Sequence, residues 1–174
     1  MELTARRVLS TFAFATLGLL SFAAWAQSPA PTRPGAYGKN LRGRWGFGLA
    51  NIGPGQTPTL SADWHVTQAS GFEFDLGVDT SSNANLMSLA ARFNRNLFIE
   101  DHLLYYLYLG AGLISQQVAD ENASGYLVEA GTAAKFFLAG LPNLGLSLGG
   151  GLRLESLGGV RFRTVLNGGM HYYF

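Results

Sequence analysis

The sequence predicts an all-β protein, an eight-stranded antiparallel up-and-down transmembrane β-barrel. From Arg42 to Phe174 apolar residues recur at every second position, and helical spacing is nowhere sustained. The alternating segments number eight and are joined in order by short connections rich in turn residues. Charged residues make up 13% of the chain, about half the usual share of roughly 25%, and Gly supplies 23 of 174 residues, about twice the usual share of roughly 7%. A water-facing surface is hard to build from that composition.

Residues 1–26 are set apart as a signal peptide. Arg6 and Arg7 precede the apolar run Val8 to Ala24, and Ala24-Trp25-Ala26 places small residues where a signal peptidase needs them. The remaining 148 residues suit one domain and carry 10 Lys and Arg against 10 Asp and Glu, a net charge of zero. A nucleic-acid binder driven by counterion release needs a basic surplus, so that class is excluded. Cys is absent, which leaves an exported chain without disulfides or thiolate metal sites. Residues 27–41 hold three of the six prolines and no apolar period, and are expected to form a flexible periplasmic lead-in; the barrel is expected over 42–174.

The first strand, 42 to 50, alternates Trp45, Phe47 and Leu49 with Arg44, Gly46, Gly48 and Ala50, and Gly53-Pro54-Gly55 then turns the chain. The second, 59 to 67, sets Leu60, Ala62, Trp64 and Val66 against Ser61, Asp63, His65 and Thr67. The third, 72 to 79, has the cleanest period, with Phe72, Phe74, Leu76 and Val78 opposite Glu73, Asp75, Gly77 and Asp79. In the fourth, 86 to 94, Met87, Leu89, Ala91 and Phe93 oppose Ser88, Ala90, Arg92 and Asn94, and Arg95 to His102 is expected to be a connection. The fifth, 103 to 113, is apolar on both faces; Leu103, Tyr105, Leu107, Leu109 and Leu113 are placed outward and Tyr106 and Tyr108 inward. Gln116 to Gly125, with Asp120 and Glu121, is expected to be the longest and most acidic loop.

The sixth strand, 126 to 137, sets Tyr126, Val128, Ala130, Thr132, Ala134 and Phe136 against Glu129, Gly131, Ala133 and Lys135. In the seventh, 144 to 155, leucines alternate with Gly145, Ser147, Gly149, Gly151, Arg153 and Glu155, and Gly158-Gly159 makes a short hairpin. The eighth, 160 to 174, sets Val160, Phe162, Leu166, Met170, Tyr172 and Phe174 against Arg161, Arg163, Asn167, His171 and Tyr173. Closing this meander removes the edges that an open sheet would expose.

Alternation alone does not choose the inner face. The polar face mixes many glycines, alanines and serines with a few long charged side chains, which suits the interior of an eight-stranded barrel, just wide enough to be filled by side chains. Its charges balance, six of each sign. Arg44, Arg92, Lys135, Arg153, Arg161 and Arg163 face Asp63, Glu73, Asp75, Asp79, Glu129 and Glu155, and buried charges are tolerated when paired. These residues, with His65, are the expected interior charge network. The apolar face then meets lipid. With periplasmic termini, Trp45, Trp64, Phe72, Phe93, Tyr105, Phe136, Tyr172 and Phe174 fall near the periplasmic ends of the strands as an interfacial girdle, and Tyr126 is the one aromatic expected at the other end.

The last residues carry a resemblance. Phe174, with Tyr172, Met170 and Leu166 at alternating positions before it, resembles the C-terminal signal of bacterial outer-membrane barrels. Taken with the signal peptide and the eight strands, residues 42 to 174 resemble the small OmpA/OmpX-type barrels. The resemblance implies recognition of Leu166, Met170, Tyr172 and Phe174 by the barrel-assembly machinery, and a place in the outer membrane among its lipids and lipopolysaccharide as a monomer. It does not extend to a peptidoglycan-binding domain or to long adhesive loops, which have no counterpart in residues 42 to 174.

Catalytic patterns are weak. Ser61, Asp63 and His65 share a face, but a triad needs the base between nucleophile and acid, and at about 3.3 Å per residue Ser61 and His65 stand roughly 13 Å apart with Asp63 between them. An interior Asp63–His65 contact is the simpler expectation. Barrels that deacylate lipid A carry a His-x-Ser pattern, whereas the histidines here read His65-Val66-Thr67, His102-Leu103-Leu104 and His171-Tyr172-Tyr173. Gly43-Arg44-Trp45 resembles a lipocalin tripeptide, but alternating Gly and Trp in any barrel strand produces it by chance, so it carries little weight. Gly149-Gly150-Gly151 precedes neither a helix nor a Lys-Ser/Thr and is no phosphate loop. The expectation is no catalytic site, no cofactor and no metal, with a lipid A-modifying enzyme and a soluble lipocalin-like binding barrel as the competing readings.

Overall fold

The computed structural model describes residues 39–51, 58–80, 84–118 and 121–174. The expected signal peptide, most of the lead-in, the Gly53-Pro54-Gly55 turn and Asp120 lie outside the described residues. Eight strands follow in chain order: β1 (Trp45–Asn51), β2 (Pro58–Trp64), β3 (Ser70–Thr80), β4 (Ala84–Ile99), β5 (Leu103–Val118), β6 (Glu121–Leu138), β7 (Leu141–Ser156) and β8 (Val160–Tyr173). Each pairs antiparallel with the next, and β8 pairs with β1, closing the barrel.

The strand ends have local causes. β1 starts at Trp45 because Gly43, with φ of 73°, turns the chain first, a conformation that glycine adopts at no steric cost. β2 stops at Trp64 because Thr67 Oγ1 accepts hydrogen bonds from the N–H groups of Ala69 and Ser70 at 3.1 and 3.0 Å, building a tight turn. Pro58 opens β2, a strand position where a missing N–H is tolerated.

The largest departure from expectation concerns the segment from Gln116 to Gly125. Instead of belonging to a long acidic loop, its described residues continue the ladder, with Gln116 paired to Ala123 and Gln117 to Asn122, and β5 runs to Val118 while β6 begins at Glu121. Backbone pairing persists there, but the apolar alternation does not, because this hairpin projects past the apolar band and neither face needs hydrophobic residues. Likewise Arg95 to Ile99 belongs to β4, where a bulge between Asn96 and Phe98 shifts the register and interrupts the alternation.

The pairing row that starts at Leu49 runs through Leu60, Leu76, Leu89, Leu113, Tyr126 and Ser156 to Val160, whereas the closing pair sets Leu49 against Met170, ten residues further along β8. With about 3.3 Å per residue and about 4.8 Å between strands, that stagger tilts the strands by about 41°, inside the usual range for barrels of this size. The wall is uneven: β1 and β2 have 7 residues each, β4 and β5 have 16 and β6 has 18.

At the end where the described chain enters, Lys39 to Arg44 fold under the barrel. Leu41 is buried among Leu104, Tyr106, Phe137 and Tyr173, and its N–H donates to Gln68 Oε1 at 3.1 Å. The Lys39 ammonium lies 4.0 Å from the centre of the Phe137 ring. The last residues of the expected lead-in are thus held against the mouth of the barrel.

Candidate functional site

The interior is a column of charged and hydroxyl side chains, each carried on an inward position of a strand. Leu104, Tyr106 and Tyr108 are buried, which fixes the facing of β5 with the tyrosines inside. Three clusters hold the charges.

The first joins β2, β6 and β8. Lys135 Nζ donates to Asp63 Oδ2 and, at 2.6 Å, to Tyr173 Oη, and that hydroxyl donates to the same Asp63 oxygen at 2.6 Å. Asp63 and Tyr173 are fully buried. Tyr173 reaches Asp63 by lying across β1 at Gly46, where an added Cβ would stand 2.7 Å from the tyrosine ring. His65 Nε2 stands 3.5 Å from Asp63 Oδ2, so the expected interior Asp63–His65 contact is present, while Lys135 and Tyr173 make the hydrogen bonds to that oxygen.

The second cluster joins β4, β6 and β7. Glu129 Oε1 accepts from Arg92 Nε at 2.5 Å, and Oε2 accepts from Arg153 Nε and Nη2 at 3.1 and 2.9 Å. Arg92 Nη1 also stands 3.6 Å from Glu73 Oε1, and its guanidinium lies 4.8 Å from the centre of the Tyr108 ring. Arg92 and Glu129 meet over Gly110, whose Cβ would come within 2.9 Å of Arg92 Cγ and 3.2 Å of Glu129 Cγ. Tyr108 Oη accepts from Asn167 Nδ2 at 2.7 Å and ties β8 to this group. In the third cluster Arg163 Nη2 donates to Glu155 Oε1. Asp75, also buried, has no hydrogen-bond partner on either carboxylate oxygen among the described residues.

Two expected members, Arg161 and Arg44, lie outside these clusters, and Arg163 joins Glu155 from the rim. Arg161 is exposed at the outer rim, because β1 pairs with β8 only from Gly169 onward and position 161 stands beyond the closed part of the wall. Arg44 precedes β1 and donates to Asn143 Oδ1 at 3.2 Å at the other mouth. Arg163 keeps 40% of its side chain exposed. At both rims a guanidinium stays in water and avoids the cost of desolvation. Leu166, Met170 and Tyr172 point outward and are exposed, and Phe174, just past β8, donates its N–H to the Trp45 carbonyl at 2.9 Å.

Several buried polar residues lie outside the expected charge network. Asn167, His171 and Tyr173 occupy inward positions that alternation had marked, so their participation was open to inference. Asn96 and Arg95 were hidden by the bulge. His171 Nε2 stands 2.8 Å from Ser61 Oγ, a nucleophile–base distance. Asp63, the carboxylate nearest in sequence to Ser61, is taken up by Lys135 and Tyr173, and His171 Nδ1 meets no hydrogen-bond acceptor among the described residues. Nothing there orients the imidazole as a triad requires. No group of three His, Asp or Glu is arranged to hold a metal ion among the described residues.

The outer face is the reverse of the interior. Phe47, Leu60, Val78, Leu89, Leu113, Leu148, Phe162 and Leu166 all present their side chains outward and exposed. Near the β1 entry Trp45 stacks on Trp64 at 5.2 Å between ring centres, and Phe72 meets Phe93 edge-on at 5.5 Å. At the other end Phe162 joins Tyr126, so that end carries two exposed aromatics where one was expected.

No protein-family model matches the chain, and no curated protein matches it. Among solved structures it is similar to the N-terminal β-barrel domain of Pseudomonas aeruginosa OprF, with 17% identity and a TM-score of 0.45, over 75% of this chain and 95% of that one. It is also similar to Ail, the attachment invasion locus protein of Yersinia pestis, with 15% identity and a TM-score of 0.39, again over 75% and 95% of the two chains.

Proposed function

We propose that the chain is an integral outer-membrane β-barrel whose filled interior suits a structural or interaction role and neither catalysis nor porin transport. The observation that carries this reading is the inversion of the usual distribution. Asp63, Glu73, Arg92, Glu129, Lys135 and Arg153 are each 5% exposed or less, while large apolar side chains cover the outside. A soluble ligand-binding barrel needs the opposite, an apolar cavity and a solvated polar surface. The paired interior leaves little room for a water column, and Ser61 and His171 are buried within it.

In this reading the outward apolar face contacts outer-membrane lipid and lipopolysaccharide, the barrel works as a monomer, and Leu166, Met170, Tyr172 and Phe174 engage the barrel-assembly machinery. The test is fractionation of cells expressing the full chain. The protein should pellet with outer membranes and need detergent for extraction; recovery from the soluble periplasm would sink the proposal.

A further inference from the structure

Above the closing seam, the outer end of β8 has a neighbour on one side only. β8 pairs with β7 from Val160 to Tyr172, but β1 meets it only from Gly169 to Tyr173. Six residues, 52–57, separate Asn51 from its ladder partner Pro58, so a hairpin with a two-residue turn would carry β1 no further than the level of Leu166. Among the described residues, no backbone group bonds to the other edge of β8 between Val160 and Val165. The Phe174 N–H donates to the Trp45 carbonyl, and successive residues of a strand bond to opposite neighbours, so the even-numbered residues of β8 turn their backbone groups to the β1 side. Val160, Phe162 and Thr164 therefore each present an N–H and a C=O to the gap. Such an edge is a template for a further strand.

The side chains beside this edge decide what can add to it. Val160, Phe162 and Thr164 point outward and are exposed, while Arg161 and Arg163 stand on the inner row. Arg161 is exposed and forms no ion pair among the described residues, and Arg163 reaches Glu155 with part of its side chain still in water. A second copy pairing through the same edge would set these guanidinium groups against their own copies, and like charges directly opposite are destabilising. An added strand with carboxylates at alternate positions would place one beside each arginine, the favourable cross-strand arrangement. The edge thus rejects its own copy and basic strands and accepts acidic ones.

We propose that the edge of β8 from Val160 to Thr164 captures an extended acidic peptide segment outside the cell, which adds as a strand with its carboxylates on Arg161 and Arg163. This names a partner for the interaction role proposed above and rests on the membrane reading for placing that edge outside the cell. The test folds the barrel into phosphatidylcholine nanodiscs, checks folding by the heat-dependent shift in gel mobility, and adds a short synthetic peptide alternating Glu with Thr and Val, or its Lys counterpart. The Glu peptide should bind at least about tenfold more tightly than the Lys peptide. It should slow amide exchange, read by NMR, at Val160, Phe162 and Thr164 and leave Arg161 and Arg163, whose N–H groups face β7, unchanged. Phe162→Pro removes the central donor from the edge without touching the β7 ladder, a place where proline is tolerated, and should abolish binding. Arg161→Glu, at an exposed position, should reverse the preference between the two peptides. Undiminished binding by folded Phe162→Pro overturns the proposal; an unchanged preference in Arg161→Glu does so too, and decides the matter even if Phe162→Pro fails to fold. Wild type that folds and binds neither peptide, or that protects the same amides by dimerising, overturns the proposal and leaves the membrane reading standing. Failure of wild type to fold into nanodiscs overturns both.

Discussion

The two large ionic clusters do different mechanical work. The Arg92–Glu129–Arg153 group spans β4 to β7, where the ladders are long: β5 and β6 alone share sixteen paired positions. The Asp63–Lys135–Tyr173 group spans the closing side, where β1 meets β8 through only five pairs and β2 through seven. In the tall wall backbone pairing already holds the strands, and the ions fill the space they enclose. At the closure, Tyr173 passes over Gly46 to bind Asp63 and links β8 to β2 directly, so side chains supply what a short ladder lacks. Interior charge is therefore space-filling in one half and a clasp in the other.

The largest effect that would sharpen this contrast is Glu129→Ala, which removes the carboxylate shared by two buried guanidinium groups. It should cost about 3–5 kcal/mol in a reversible unfolding titration in lipid vesicles. A neutral result would mean that the supposed interior is solvated. Lys135→Met should cost nearly as much, because Asp63 then loses its buried counter-charge and keeps the Tyr173 hydroxyl as its hydrogen-bond donor. Adding Asp63→Leu should recover most of that loss, since replacing both partners of a buried pair by apolar groups is often close to neutral. The clasp makes a further distinction: in Lys135→Met, backbone amides of β1 and β8 should exchange with deuterium before those of β5 and β6, whereas Glu129→Ala should raise exchange without that order. Tyr173→Phe, which removes one hydroxyl and keeps the ring over Gly46, should cost less, about 1.5–3 kcal/mol, the range for hydrogen bonds to charged groups.

Much of this was legible in the residues. Alternation from Trp45 to Phe174 located the eight strands, and the excess of glycine on the polar face pointed to an interior crossed by long side chains; the facing of β5, apolar on both sides, came only from the burial of Leu104, Tyr106 and Tyr108. Gly46 and Gly110 show the reason, since each is the bare spot over which Tyr173 or the Arg92–Glu129 pair lies. Partner choice was not legible. Asp63 and His65 stand on one strand and invite pairing, yet Lys135 arrives from across the barrel, because the ten-residue stagger sets which strands meet at one depth and no local pattern records it. The Gln116–Gly125 segment misled for a related reason: beyond the apolar band a strand has no hydrophobic period to show.

The account turns on which face meets lipid, and depth tests that most directly. Unfolding free energies in vesicles should be compared for Leu148→Arg, on a fully outward position of β7 within the apolar band, and Val160→Arg, on the outward row at the first residue of β8. The account predicts a loss of about 2–4 kcal/mol at Leu148 and about 0–1 kcal/mol at Val160. Equal losses at the two sites, or a protein that folds in detergent-free buffer and is destroyed there by Leu148→Arg, would make the apolar face a core and contradict the membrane reading.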